Sequence, residues 1–336
     1  MNEVLGAALA VLIYPGLVVA AIAAVTLMWA REAVAATVQR IPATGPVRYV
    51  EGYVRAGQRP GTVSRGSLSG AITAALLVAF VCPILALLFL PVPGNPLINN
   101  GLLTEPAGAG LVSRGLTGDL LVVAALLFGQ PLARIFLGWI SPSATTRIAA
   151  DRGARLLAGA AVAVALATTA MAQQLDSLRL DGVLSSASSV GVAQIARVLA
   201  AGACACALPV LARRTSMRRA EEGTTDLYDE AADLSGRDLM LFRLSEALQM
   251  IAFAIFFGVV FVVPIFAHWI KGSAYLIALG IVALATALGL GLWDFFGTPP
   301  TESEDRPPLS WWLGVPVLLA LAALVAASFA SRIGTP

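Results

Sequence analysis

Charge is what this sequence has least of. Only 12% of its 336 residues are Asp, Glu, Lys or Arg, while 58% are hydrophobic. Soluble domains carry about 25% charged and about 45–50% apolar residues. The shortage excludes a soluble enzyme and a disordered chain. Net charge is only +2, so no nucleic-acid partner is expected. Histidine occurs once, as His268, at the end of an apolar run beside Trp269, where a structural role is expected. The three cysteines, Cys82, Cys204 and Cys206, all lie inside apolar runs. Two thiols two residues apart on one helix point to different faces, so the C-x-C pair reads as core packing and not as a metal site. The N-terminus lacks a basic n-region and a small-residue cleavage site, so it is expected to be a first span and not a removed signal.

What the sequence does have is long apolar runs. Eight are long enough to cross about 30 Å of hydrocarbon as helices at about 1.5 Å per residue. They fall near 4–30, 68–90, 119–139, 155–172, 190–211, 240–267, 272–292 and 311–331. Lipid offers no partner to free backbone amides, so each must be helical. The expected fold is all-α, one polytopic membrane domain of eight transmembrane helices. Its inner loops are 31–67, 140–155, 212–239 and 293–310. Alternate connections, with their flanks, carry sixteen cations against four on the other side. The positive-inside rule then puts both termini outside and the charged loops in the cytoplasm. Trp29, Trp139, Trp269, Trp293, Trp311 and Trp312 sit at the expected span ends, as an aromatic belt does. No internal repeat is visible, and no matched pair of broken helices of the kind seen in transporters.

A charge inside a span is costly and calls for a role. Asp119 opens the third span, and Arg197 lies about 12 Å deep in the fifth. Asp119 is the nearest candidate partner for Arg197 by level, with snorkelling or water contact as the alternative. Arg134, near the inner end of the third span, is expected to snorkel. Glu246 opens the sixth span one turn after Arg243, which makes an interfacial Arg243–Glu246 pair the simple reading. The functional reading is a protonatable group at the mouth of an intramembrane path.

The inner loops hold the rest of the chemistry. The first contains Q39-R40-I41-P42-A43-T44-G45-P46 and an amphipathic stretch from Val47 to Arg55, suited to a membrane surface or a partner. The third starts with Arg213, Arg214, Arg218 and Arg219 and continues with seven acids: Glu221, Glu222, Asp226, Asp229, Glu230, Asp233 and Asp238. Arginines alone would anchor such a loop. The acids after them suit subunit docking or proton relay.

At these loops the chain resembles the H subunit (subunit 1) of respiratory complex I and its counterpart, the membrane-anchor subunit of formate hydrogenlyase and membrane-bound nickel–iron hydrogenases. The resemblance runs from about 30 to 320 and rests on four stretches. Q39-R40, G45-P46 and Glu51 resemble a first-loop pattern of Q-x-R-x-G-P followed by Q-P-x-x-D, with Val47-Arg48 in place of its Gln-Pro. D119-L120 and G138-W139-I140-S141 resemble the ends of the family's third span, and Arg152 falls where complex I has Arg. D229-E230-A231 with D233-L234-S235-G236-R237-D238-L239 resembles the hydrogenase pattern H-E-A followed by D-Y-S-G-R-D-L. F242-R243-L244-S245-E246 resembles the complex I pattern F-x-L-x-E.

The resemblance implies a membrane-anchor and coupling subunit that holds no redox centre itself and docks a soluble arm. The implied partners are a hydrogenase-like large subunit, an iron–sulfur small subunit and antiporter-like membrane subunits. Iron–sulfur and nickel–iron centres would lie in those partners, and quinone at the subunit interface. The implied docking residues are Arg40, Gly45, Pro46, Glu51, Arg152, Glu221, Glu222, Asp229, Glu230, Asp233 and Arg237. Asp119, Arg197 and Glu246 are the intramembrane candidates. The implied location is a bacterial or archaeal cytoplasmic membrane. The chain departs from the family in its fourth span, where members keep a glutamate: no acid lies between Arg155 and Asp176. Two other readings stand beside this one. One is a stand-alone transporter or channel lined by Asp119, Arg197 and Glu246. The other is a purely structural anchor that has lost proton coupling.

Overall fold

The structure is a computed structural model. It describes residues 17–38, 40, 42–58, 69–90, 119–175, 180, 192–212, 234–266, 274–296 and 309–333. The described elements are helices.

Among the described residues, seven helices are long and apolar enough to span a membrane, and each overlaps one of the expected apolar runs. α1 is Leu17–Val38, α2 Pro46–Gln58 and α3 Ser69–Phe89. The third span is two pieces, α4 (Leu120–Leu127) and α5 (Gly129–Ile140). α6 is Ala144–Leu175, α7 Val192–Leu211 and α8 Gly236–Phe257. A π-helical segment, Gly258–Val262, joins α8 to the short α9 (Val263–Phe266). α10 is Ala274–Phe296 and α11 Leu309–Ile333. α10 occupies the seventh expected segment. Its described apolar stretch, Ile277–Trp293, is shorter than the other seven.

Two helices run further than their apolar runs suggest. α1 continues through Arg31 and Glu32 to Val38, past the expected end at 30. Arg31 is buried there and donates from Nη1 to Ala212 O at the end of α7 (2.6 Å). An Arg at a helix C-terminus satisfies a carbonyl that has no intrahelical partner. α6 begins at Ala144, and its 32 residues span about 48 Å. The stretch expected as a loop at 140–155 is therefore mostly the first turns of this helix.

Packing follows residue size. α6, α7 and α11 meet through alanines at helical spacing: Ala160, Ala163, Ala167 and Ala170; Ala196, Ala200, Ala203 and Ala207; Ala320, Ala323 and Ala327. Small side chains let helix backbones approach closely, which is how membrane helices gain contact without a hydrophobic drive. Cys204 is buried in this layer while Cys206 faces out, as the turn between them requires. α8 is the central element. Of its apolar window 83% is buried, against 22–56% in the other spans. It packs against α1, α2 and α3. The π segment has a local cause. Pro264 has no N–H, and the widened turn places Val263 N–H on Gly258 O.

α2 lies against the N-terminal part of α8. Tyr49 is its buried anchor, and Val47, Val50 and Val54 form an exposed apolar stripe on another face. Pro46 starts the helix at its first turn, where the missing N–H costs nothing. Trp29 Nε1 donates to Thr44 O (2.9 Å), tying the approach to α2 back onto α1.

Candidate functional site

Pro131 is where the site begins. In a regular helix the N–H of residue 131 would donate to Leu127 O. Proline has none, so that carbonyl is left open and the third span breaks after Leu127. Gln249 of α8 donates its side-chain amide to Leu127 O. One turn beyond Pro131, Arg134 crosses to α8 and donates from Nη1 to Glu246 Oε1 (2.8 Å). Both side chains are almost completely buried, at 6% and 1% exposure. The Phe242 ring lies below the guanidinium, 6.0 Å from its centroid, a favourable cation–π arrangement. The spacing accounts for the arrangement. Gln130 and Arg134 are one turn apart on α5, and Phe242, Glu246 and Gln249 share a face of α8.

This pairing corrects two expectations. Arg134 does not snorkel; it is 5% exposed and ion-paired. The ion pair of Glu246 also reaches across to α5 and not back to Arg243. Arg243 is buried as well, and its Nε and Nη2 have no hydrogen-bond partner. Two further buried polar atoms, Gln130 Nε2 and Gln249 Oε1, also have none. Arg243 lies within electrostatic reach of Tyr53 of α2, as do Glu32 and Glu246. Burial pushes the Tyr53 phenol up to about 12, against the opposing pull of its hydrogen bond to Tyr49. The two hydroxyls are 3.4 Å apart and the rings meet edge-on.

The candidate Asp119–Arg197 pair does not form. Asp119 is the N-cap of α4, its carboxylate accepting from Leu121 N at 2.8 Å, a common use of Asp at a helix start. Arg197 is buried and donates from Nε to Gln174 Oε1 (3.1 Å). Gln174 in turn donates to Ala193 O. Asp119, Arg197 and Glu246 are thus held by three separate sets of partners.

The docking candidates divide by place. Arg40 sits in the left-handed region (φ 56°) between α1 and α2. Gly45 O accepts from Tyr49 N in the first turn of α2. Glu51 pairs with Arg55 on the exposed side of α2 (3.1 Å). Arg152 is exposed on the early turns of α6, and Arg237 is exposed at the start of α8. Glu221, Glu222, Asp229, Glu230 and Asp233 lie outside the described residues. Trp139 Nε1 donates to Asp151 (2.8 Å) and Arg147 Nε to Ser141 O (2.7 Å), closing the α5–α6 corner.

Sequence reasoning missed Gln130, Gln249 and Arg31. The signal for the first two was there: an amide beside a proline in one span, and an amide three residues after a glutamate in another. A separate groove of about 740 Å³ lies between α7, α10 and α11, bordered by Cys206, Pro209, Thr286, Trp293 and Pro316. Its walls carry no acid, base or amide.

The family model for NADH dehydrogenase matches residues 9–330. No curated protein sequence matches the chain. In fold it is similar to a chain of the membrane-bound sulfane sulfur reductase, an archaeal respiratory membrane complex. The TM-score is 0.69 at 17% identity, covering 97% of this chain and all of that one. The chain belongs to the NADH dehydrogenase family, the family of complex I subunit 1.

Proposed function

We propose that this chain is the membrane-anchor and coupling subunit of a complex-I-related oxidoreductase of the hydrogenase branch. It crosses the membrane eight times with both termini outside, so that α2 and the loops around 140–155 and 212–239 face the cytoplasm. These form the seat for a soluble arm made of a hydrogenase-like large subunit and an iron–sulfur small subunit. Antiporter-like subunits are its neighbours in the membrane. This chain supplies the seat, and its partners supply the redox centres, with quinone at their common interface if it takes part.

The observation that carries the reading is α2. It is held from below by Tyr49 and Trp29 and keeps an apolar stripe and the Glu51–Arg55 pair exposed on its other faces. It lies at the end of the bundle where Arg147, Arg152 and Arg237 also lie. An apolar stripe framed by charge suits a protein partner at a membrane surface. The acidic segment 221–238 directly precedes the exposed start of α8. The test is charge reversal of Glu230 and Asp233 to Lys in the intact complex. Soluble subunits should be lost from washed membranes while this chain stays inserted. Full co-purification of those subunits with the double variant overturns the docking assignment.

A purely structural anchor is the second reading, and one contact favours it. The one acid placed deep at the α5–α8 seam, Glu246, is ion-paired with Arg134, so joining the two helices is enough to account for it. Proton movement by the complex with Glu246→Gln separates the two. Coupling predicts loss of proton movement with the complex still assembled. Unchanged movement leaves the anchor alone.

A further inference from the structure

The break in the third span leaves a small cavity of about 20 Å³ beside the ion pair. It lies between α5, α6 and α7 and is lined by Gln130, Pro131, Arg134, Ile135, Gly153 and Leu157, with the end of α7 behind them. A cavity holds one water when it offers about 10–15 Å³ or more to the probe and at least two polar partners. This one meets the size condition. It meets the second through Gln130, whose Nε2 is buried without a hydrogen-bond partner, and through Arg134, whose guanidinium has five N–H donors.

We infer that this cavity is an internal water site, which joins Gln130 to the Arg134–Glu246 pair. The water accepts from Gln130 Nε2 and from Arg134, and its own two hydrogens go to backbone carbonyls of the surrounding helices. Proline supplies the room: Pro131 lines the cavity just after the break between α4 and α5, where the third span is no longer a regular helix. Leucine at 130 would give the same volume with an apolar wall, and an apolar cavity of this size stays dry. The site explains why an amide stands at position 130, pointing into the bundle at 2% exposure with no protein acceptor for its Nε2. Gln130 is on this view a positioning residue. It fixes the water, and the water supports a charged pair inside the membrane. The inference stands on the cavity and its walls, whether or not the chain docks a soluble arm.

The test is radiolytic hydroxyl labelling of the intact complex, in which a bound water is activated where it sits and oxidises the side chains around it. Ile135 and Leu157 are the reporters, both buried. Leu127 and Val164, buried in the apolar core, are the dry controls. The expected result is labelling of Ile135 or Leu157 several-fold above the controls. Gln130→Leu should remove that labelling, and so should Leu157→Phe, which fills the cavity. Wild-type labelling no higher than the controls overturns the water site, and this reading needs no variant to fold. Labelling that persists in Gln130→Leu overturns the role given to Gln130.

Discussion

Gln249 on α8 supplies the hydrogen bond that Pro131 denies to Leu127 on the third span. The side-chain amide donates to the carbonyl left open by the proline. A break in a membrane helix is tolerated where a neighbour satisfies the freed backbone group. Here the same contact fixes the register of α5 against α8, and that register brings Arg134 onto Glu246. Replacing Gln249 with Leu should therefore cost about 1–3 kcal/mol, the penalty for leaving a buried acceptor unmade. The cost should shrink in a Pro131→Ala background, where residue 131 regains its own N–H. Thermal unfolding of the four proteins of this cycle in detergent measures the coupling. Equal costs of Gln249→Leu in both backgrounds would show that the contact is not a repair of the break.

The Arg134–Glu246 pair predicts an asymmetric mutational cycle. Taking one partner from a buried pair leaves the other charge stranded, at about 3–5 kcal/mol, whereas replacing both with apolar residues is often close to neutral. Arg134→Met and Glu246→Leu should each unfold the protein at clearly lower temperature. The double variant should recover much of the loss. If the double variant is as unstable as the sum of the singles, the pair is not the closed unit described.

These two contacts also show what the sequence could and could not reveal. The spans were legible because apolar runs of about 20 residues have few other uses. The amphipathic character of α2 was legible from periodicity: Val47, Val50 and Val54 recur at helical spacing. Partner choice was not. Arg243 is the nearest cation to Glu246 along the chain, but the ion pair forms with Arg134, 112 residues away. That outcome depends on the break at Pro131 and on how α5 turns against α8, which are tertiary facts. Arg31 was hidden differently. It follows an apolar run, so it reads as the start of a loop, and its burial depends on the open carbonyl of Ala212 at the end of another helix. Of the implied docking set, the residues near α2, α6 and the start of α8 gather at one end of the bundle, while the acids from 221 to 233 lie outside the described residues.

Tyr53 predicts a pH dependence for α2. Its phenol is pushed up to about 12 by burial, above the usual value near 10. A raised pKa favours the neutral form in the folded state. The stability this adds is fully present below pH 10 and is lost as pH rises from about 10 to about 12. Spectrophotometric titration should show one phenol ionising late. That late step should disappear in Tyr53→Phe. Early ionisation of Tyr53 would mean that α2 does not pack against α8 in a way that buries it.

Gly291 predicts a steric limit where α1 and α10 cross. A Cβ at this position would lie 2.6 Å from the carbonyl oxygen of Arg31 and 3.1 Å from the Val34 side chain. The first neighbour is backbone and cannot swing aside, so the helices must separate. Gly291→Ala normally adds helix propensity, about 1 kcal/mol in its favour. Here the overpacking should outweigh it, at about 1–3 kcal/mol. Gly289→Ala is the matched control, because a Cβ there meets nothing within 4 Å. It should leave stability unchanged or raise it. Unfolding temperatures of the two alanine variants should therefore move in different directions. A Gly291→Ala protein as stable as Gly289→Ala would mean that α1 and α10 do not approach this closely. The contact matters beyond packing, because the Arg31 whose backbone it presses also reaches Ala212 through its side chain. Loosening the crossing should then weaken the hold on the end of α7 as well. Faster amide hydrogen exchange near Leu211 in Gly291→Ala, but not in Gly289→Ala, would report that second effect.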